Sequence, residues 1–272
     1  MPIRKTYRHE NGAHSVDGFR VGRFNMGINT TFIVYQIGDT LIDTGPSNQW
    51  KSVREGLQGR NIRQLLITHH HEDHSGNAAN IAKQWNLIPY APELGREKIR
   101  TGYKTPVMQR IIWGSPQPAE TQPLTDDLTL SDGSPIVPVH TPGHAKDLTC
   151  LFFPKQKYLF SGDMYISKSM KYMRIDENLQ ELVDGLHKLL ALDFEILFCP
   201  HNGIVEQGRD ALQGKLDNLL KLCSEAQALQ SEGKDIDQIT VKLLGQEDML
   251  SKVSQGNFCK ANLIREALKV QL

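Results

Sequence analysis

The segment THHHEDHSG, residues 68–76, concentrates side chains that titrate or bind metal ions. Four of its nine residues are histidines, although the chain of 272 residues contains only 10. The segment is internal, which excludes an affinity tag. Alternate residues of an extended segment face the same side, so His69 and His71 project together, and Asp73 and His74 follow where the chain turns. Imidazole nitrogens and carboxylate oxygens suit Zn, Fe or Mn, so the segment predicts a metal site.

Three more polar residues occur just after segments that read as strands. TPGH places His144 in a Pro-Gly turn, FSGD places Asp163 at the end of an apolar strand, and CPHNG places His201 after another. Rigid strands hold the loops that follow them, which makes such positions suitable for a site. A buried aspartate after an apolar strand also needs a cation to balance its charge. Five histidines and two aspartates in all are enough for two metal ions.

The elements that position these residues are predicted from hydrophobic periodicity. Residues 30–45 read as two strands joined at Gly38-Asp39, and residues 62–68 as the strand that leads into the histidine segment. The other predicted elements are a helix over 75–86, strands within 128–144, 148–164 and 195–200, and a helix over 177–193. From about residue 206 the pattern is helical and no strong strand is predicted.

Five motifs in order, LIDTG, THHHEDHSG, TPGH, SGD and CPHNG, resemble the metallo-β-lactamase-fold hydrolase superfamily over about residues 25–205. The resemblance implies an α/β fold, a four-layer αβ/βα sandwich with the metals at one edge. We therefore predict a hydrolase domain over 1–205 and a C-terminal helical subdomain over 206–272. Because these C-terminal helices are amphipathic and carry no ligand-type cluster, we expect a helical cover or a homodimer surface.

The resemblance also implies a role for each site residue. It assigns seven ligands to two divalent cations, with zinc first and iron or manganese as the alternatives: His69, His71 and His144 to one, Asp73, His74 and His201 to the other, and Asp163 to both. Asp43, in LIDTG, would orient a ligand histidine. Asp73 would also be catalytic, because it can hold a hydroxide in line and take up a proton. His70 and Glu72 occupy the alternate positions and are expected to point away from the metals.

The chemistry of two such cations is hydrolysis. A water that they share loses a proton near neutral pH, and the cations polarise a carbonyl or phosphoryl oxygen. The leading hypothesis is attack of a metal-bridging hydroxide on a small ester, thioester or lactone, as in the glyoxalase II and lactonase branches. Tyr165, Lys168 and Tyr172 are candidates for binding an acid group of the substrate. Asn77 departs from glyoxalase II, which usually has a second glycine there, and no basic C-terminal segment resembles its glutathione clamp.

Two other activities share these motifs. A phosphodiesterase or endoribonuclease of the β-lactamase-like type also has a helical tail, which residues 256–268, GNFCKANLIREAL, resemble. A persulfide dioxygenase uses one iron ion and the same histidine motif. The flavodiiron branch is excluded by His71, where that branch has glutamate, and by the missing flavodoxin domain. An intact ligand set argues against a non-catalytic binding module.

The overall composition favours a cytoplasmic enzyme that acts on a small molecule. Lys and Arg total 31, as do Asp and Glu, so the net charge is zero and the pI is near 7.1. This balance gives no bulk attraction to nucleic acid or to an anionic membrane. No apolar run approaches the roughly 18 residues of a membrane span, and MPIRKTYRHENG lacks the apolar core of a signal peptide. The four cysteines form no C-x-x-C pair, which is typical of reduced, buried thiols.

Overall fold

A computed structural model describes residues 5–24 and 30–272 of the chain. In chain order the strands are β1 Lys5–His9, β2 Val16–Val21, β3 Phe32–Ile37, β4 Thr40–Ile42, β5 Gln64–Leu66, β6 Tyr90–Ala91, β7 Gln122–Pro123, β8 Val137–His140, β9 Thr149–Phe153, β10 Tyr158–Phe160, β11 Met173–Arg174, β12 Ile196–Cys199, β13 Gly203–Val205 and β14 Phe258–Cys259. The helices are α1 Trp50–Gly56, α2 Ala78–Trp85, α3 Glu93–Thr101, α4 Val107–Trp113, α5 Leu179–Leu190, α6 Gly208–Ser231, α7 Ile236–Leu244, α8 Met249–Val253 and α9 Lys260–Ala267.

The chain divides into two compact units. The first comprises Met1–His140, Lys146–Ile166 and Asp193–Gly208, and the second comprises Thr141–Ala145, Ser167–Leu192 and Arg209–Leu272. The last segment of the first unit ends at Gly208, and the domain boundary at residue 205 stays a prediction. The second unit also includes two earlier segments that the sequence pattern places in the first domain.

The larger sheet of the first unit contains β1 to β7 in sequence order. Strands β1 to β4 pair antiparallel, and β3 and β4 form the hairpin predicted at Gly38-Asp39. Strands β4 to β7 pair in parallel, with Ile42 beside Leu66. The carboxyl ends of neighbouring parallel strands meet at one edge, so the loop with Asp43 lies beside the histidine segment.

The smaller sheet of the first unit has the order β13-β12-β10-β9-β8. Its one parallel pair in the described structure is β10 with β12, which places Phe160 beside Phe198. Asp163 and His201 follow these two residues by three positions each. The sheet thus brings together the ends of two strands that are separated by a helix in the sequence.

The core of the first unit lies on both faces of the larger sheet. Strand β3, FIVYQI, is buried along its whole length. Phe32 and Val34 face a cluster that includes residues of α1 to α4, whereas Ile33 and Tyr35 face the smaller sheet. Successive side chains of a strand point to opposite faces, so a continuous apolar run is what a strand between two layers requires.

The second unit is built around α9, which packs against α5, α7 and β11. Strand β11 pairs antiparallel with β14, at Met173 with Cys259 and Arg174 with Phe258. The sequence predicted neither β14 nor the short helix α8, whereas α6, α7 and α9 occupy the segments predicted as helical. All four cysteines lie in the described residues, are buried and form no disulfide. In the described part of the chain, no helix has the length and apolar character to span a membrane.

Candidate metal centre

Histidines and carboxylates from three loops of the first unit converge on one buried site. The site draws on the loops after β5, β10 and β12. Ligand-type atoms lie within 4.8 Å of one another in each of two overlapping groups, one formed by His69, His74 and Asp163 and the other by Asp73, His74 and His201. All five residues are buried. His71 lies beside them, with its Nδ1 atom 3.0 Å from Nε2 of His69.

His74 is held so that its Nε2 atom points to a carboxylate. Its Nδ1 lies 2.8 Å from Oδ2 of Asp43, and the Asp43 carboxylate also accepts hydrogen bonds from the backbone N–H and the hydroxyl of Thr68. We assign the ring proton to Nδ1 because a carboxylate can only accept. The Nε2 lone pair then lies 3.2 Å from Oδ1 of Asp163. His74 is fully buried, so Asp163 is the acidic group toward which its Nε2 points.

His201 repeats this arrangement from another strand. Its Nδ1 donates to the backbone carbonyl of Thr31 at 2.8 Å, which leaves Nε2 as the lone-pair atom. That Nε2 lies 3.2 Å from Oδ1 of Asp163 and 3.5 Å from Oδ2 of Asp73. Arg20 donates from Nη1 to the backbone carbonyl of His201 at 2.8 Å, which fixes the backbone of the residue as well. Two imidazole lone pairs therefore point at the same carboxylate.

The electrostatics of the site fit bound cations. Burial disfavours the charged form of His74, but the carboxylates of Asp43, Asp163 and Asp73 outweigh it and raise the pKa of His74 well above its ordinary value. Burial likewise opposes the charged form of His201, whose pKa is raised by Asp163 and Asp73. Burial raises the pKa of Asp73. The two histidine shifts share one cause, a buried cluster of carboxylates that favours positive charge, and the donor set of imidazole nitrogen and carboxylate oxygen suits divalent metal ions.

His144 belongs to the second unit. Its Nδ1 lies 2.6 Å from the carboxylate of the buried residue Glu177, in the loop before α5. A carboxylate on one ring nitrogen is the arrangement that orients a ligand histidine for binding through the other. The assignment of His144 to the metal predicted for His69 and His71 stays a prediction.

The residues predicted to contact substrate occupy different surroundings. Tyr165 is buried in the first unit, and its backbone carbonyl accepts from the thiol of Cys199. Lys168 is exposed in the second unit, where its backbone carbonyl accepts from Asn218. The hydroxyl of Tyr172 donates to Asp248, which raises the pKa of Tyr172 to about 12. Substrate binding by the three stays a prediction, and the phenol of Tyr172 is already engaged in the structure.

Replacing Asp43 with Asn should weaken metal binding without removing a predicted ligand. The two oxygens of Asp43 accept separately from the backbone N–H of Thr68 and from the ring of His74. The single oxygen of an amide cannot replace both, so one of these donors would face an NH₂ group and the orientation of His74 would no longer be fixed. Loss of such an orienting partner typically costs about 10–100-fold in metal affinity. Competition with a chromophoric chelator measures this change. The exposed Asp132, which caps the backbone N–H of Ser134, provides the control, and Asp132→Asn should bind metal as the natural chain does.

Asn77, which directly follows the histidine segment and departs from the glyoxalase II pattern, has a structural role. It is fully buried, and its amide donates to the backbone carbonyls of Thr44, Gly45 and Pro46 at 2.9–3.1 Å. These bonds connect the loop after β4 to the start of α2. Gly76 lets the two loops approach, because a Cβ there would lie 2.6 Å from the backbone nitrogen of Ser47 and 2.7 Å from the carbonyl oxygen of Gly45.

Asn77→Ala is therefore expected to lower the free energy of unfolding. The substitution leaves buried carbonyl groups without their side-chain donor, at a cost of about 1–3 kcal/mol. Urea unfolding followed by circular dichroism measures this cost. Asn61 is exposed, and Asn61→Ala should change stability by less than about 0.5 kcal/mol. Equal effects of the two substitutions would show that the bonds made by Asn77 are not stabilising.

The sequence of the chain is similar to those of known proteins. The family model described as "Metallo-beta-lactamase superfamily" matches residues 24–213. An atrochrysone carboxyl ACP thioesterase of Aspergillus fumigatus is 25% identical over 196 residues, which are 70% of this chain and 56% of that protein. A hydroxyacylglutathione hydrolase of Bartonella tribocorum is 28% identical over 155 residues, which are 56% of this chain and 54% of that protein. The chain thus spans slightly more than half the length of these curated relatives.

Solved structures confirm the predicted fold class. A beta-lactamase domain protein from Burkholderia ambifaria aligns with a TM-score of 0.71 and 16% identity, covering 97% of this chain and 89% of that one. A metallo-beta-lactamase family protein from Thermus thermophilus aligns with a TM-score of 0.63 and 16% identity, covering 98% of this chain and 93% of that one. The family model covers more than half of the chain, the five motifs lie in the expected order, and the fold is shared. The chain therefore belongs to the metallo-beta-lactamase superfamily.

Proposed function

We propose that the chain is a hydrolase that holds two divalent cations and cleaves a small ester, thioester or lactone, with a thioester as the preferred substrate. The observation that carries the proposal is that Nε2 of His74 and Nε2 of His201 both lie 3.2 Å from one carboxylate oxygen of Asp163. Imidazole nitrogens and a carboxylate oxygen that face one another in a buried site require positive charge among them, and we propose that metal ions supply it.

The residues present fit two metal ions. We propose that each ion takes three ligands and that Asp163 is shared: Asp73, His74 and His201 for one ion, and His69, His71 and the predicted His144 for the other. A donor set this rich in imidazole favours zinc, with iron or manganese as alternatives. When bound, such cations activate a water and polarise the carbonyl group that it attacks.

The side chains of the chain itself orient the ligands and move the proton. Asp43 and the carbonyl of Thr31 keep the ring protons of His74 and His201 on Nδ1, so that both Nε2 atoms remain available. Asp73 is buried, and burial raises its pKa toward the range in which a carboxylate can take up a proton. We propose that Asp73 accepts the proton of the attacking water and returns it to the leaving sulfur or oxygen atom.

The names of the relatives support an acyl substrate. One relative is named a thioesterase and another a hydroxyacylglutathione hydrolase, and both names describe removal of an acyl group by hydrolysis. A thioester is preferred because two separate groups of relatives carry such names. Neutral overall charge further disfavours a phosphodiester backbone as substrate, because binding of such backbones is mostly electrostatic.

A matched substrate panel tests the proposal. The metal-loaded protein is assayed with an aliphatic thioester, its oxoester, a γ-lactone and bis-p-nitrophenyl phosphate. We expect the highest kcat/KM on the thioester and loss of that activity in His201→Ala. His140→Ala is the control, because His140 is exposed at the end of β8 and its Nε2 bonds to the carbonyl of Lys146. Cleavage of the phosphodiester alone would reject the proposal in favour of a phosphodiesterase.

A further inference from the structure

His70 makes more hydrogen bonds than a residue that merely points away from the metals requires. Its ring is 9% exposed, and its Nδ1 and Nε2 lie 2.7 Å from Oδ1 of Asp147 and 3.0 Å from Nζ of Lys98. Its backbone N–H donates to Oδ2 of Asp147 at 2.8 Å. Its backbone carbonyl accepts from the hydroxyls of Ser75 and Tyr103. Every polar atom of His70 is therefore bound, and all of the partners lie in the first unit.

The partners determine which ring nitrogen carries the proton. The ammonium group of Lys98 has donors and no acceptor, so Nε2 of His70 must accept from it. The proton then resides on Nδ1 and is donated to Asp147, which can only accept. A neutral imidazole thus connects a cation to a buried carboxylate, and reversing the tautomer would place two donors against each other at Lys98.

Asp147 is buried and closely packed at this position. It is 1% exposed, and its two carboxylate oxygens bind the ring and the backbone of the same residue. Helix α3 leaves room for the carboxylate only because residue 95 is glycine. A Cβ at Gly95 would lie 2.1 Å from Oδ2 of Asp147, well inside contact distance.

We infer that Asp147 is a positioning residue for the metal centre. It fixes the peptide and the ring of His70, and His70 is the residue between His69 and His71. The direction in which these two side chains project is set by the backbone that Asp147 holds. The inference rests on the proposed function, in that it takes His69 and His71 to be metal ligands.

Replacing Asp147 with Asn tests the inference at constant size. If the amide oxygen of the new side chain accepts from the backbone N–H of His70, the amide NH₂ group faces the Nδ1–H group of the ring, and two donors meet. Moving the ring proton to Nε2 would avoid this but would place an N–H donor against the ammonium group of Lys98. We expect the affinity for one of the two metal ions to fall about tenfold or more, the usual scale for loss of an orienting partner. Chelator competition with Zn²⁺ measures the affinity, and the visible absorption of the Co²⁺-substituted protein reports the altered ligand geometry. The thermal midpoint of the metal-free protein shows whether the fold is intact.

Two conservative replacements of His70 separate positioning from general packing. The Nδ2 atom of Asn occupies the place of ring Nδ1 and can still donate to Asp147, so His70→Asn should keep most of the metal affinity. The Nε2 atom of Gln occupies the place of ring Nε2, so His70→Gln should lose about as much affinity as Asp147→Asn. Equal affinities of the Asn and Gln variants would overturn the inference.

Two glycine substitutions, of which one displaces the Asp147 carboxylate and the other is its control, test the inference without changing any charge. Gly95→Ala pushes against Asp147, whereas Gly56→Ala, on α1, pushes against the ring of Phe19 at 2.7 Å and leaves Asp147 untouched. Both should lower the thermal midpoint, but only Gly95→Ala should weaken metal binding. Equal weakening by both would overturn the inference. His69→Ala separates failure of the proposed metal site from failure of the positioning role of Asp147. If His69→Ala binds metal as the natural chain does, the proposed metal site is wrong. If His69→Ala loses metal while Asp147→Asn keeps it, only the positioning role is wrong.

Discussion

Asp163→Asn is expected to lower turnover by about 10²–10³-fold, the scale seen when a preorganised electrostatic group is removed from an active site. Oδ1 of Asp163 lies 3.2 Å from Nε2 of both His74 and His201, so one oxygen serves two predicted ligands. The substitution keeps the size of the side chain but removes the negative charge that balances two cations. We expect the metal of Asp73, His74 and His201 to be bound most weakly, because these residues surround the altered oxygen.

The measurement combines steady-state kinetics with elemental analysis of the same preparation. The fold should survive, since the carboxylate contributes no strand pairing, and the thermal midpoint of the metal-free variant should be no lower than that of the natural chain. Asp132→Asn, at an exposed turn, is the control for loss of one carboxylate and should keep full activity. Natural metal content and turnover in Asp163→Asn would show that this residue does not bridge the two ions.

Most ligand candidates could be found from the sequence because their geometry is local. His69 and His71 are two positions apart just after β5, so alternation predicts that they project together, and Asp73 and His74 follow in the turn that begins at residue 72. Asp163 and His201 could be placed because each follows an apolar strand, and the parallel pairing of β10 with β12 brings those strand ends together. Residue type and strand position were sufficient for this part of the site.

The residues that orient the ligands could not be found in the same way. Thr31 and Arg20 contact His201 across 170 and 181 positions of sequence, through a carbonyl in one case and a guanidinium in the other. Asp147 contacts His70 across 77 positions and lies three residues after His144, where nothing marks it as different from a surface aspartate. Such contacts depend on sheet order and on the packing of α3, and neither leaves a periodic signal in the chain.

In the fold, too, elements with a local periodic signal could be predicted and elements without one could not. The hairpin at Gly38-Asp39, α2 and α5 carry clear apolar periods and turn residues, and they form where predicted. Strand β14 is only two residues long and pairs with β11, which is equally short. Neither strand is long enough for alternation of apolar and polar residues to be recognised. Their pairing also joins segments that lie far apart in the sequence, so no local turn signal predicts it.

Removal of metal should abolish hydrolysis and lower stability together. The side chains that would bind the ions belong to loops after β5, β10 and β12, so the ions connect segments from both sheets of the first unit. A ligand that binds only the folded state, present at about 1,000 times its Kd, stabilises that state by about 4 kcal/mol. We therefore expect dialysis against a chelator to remove activity and to lower the thermal midpoint, with both restored by Zn²⁺.

The number of metal ions per chain needed to restore activity decides between a two-metal site and a one-metal site. Two overlapping groups of ligand atoms predict that activity and thermal midpoint rise until about two equivalents of metal per chain are bound. Elemental analysis and calorimetric titration of the reconstituted protein measure the number directly. His201→Ala should reduce it toward one, because that variant lacks a ligand of only one group, whereas His140→Ala should leave it at two. Saturation at one equivalent in the natural chain, with iron restoring more activity than zinc, would reject the two-metal hydrolase and favour the mononuclear iron dioxygenase that shares the histidine motif.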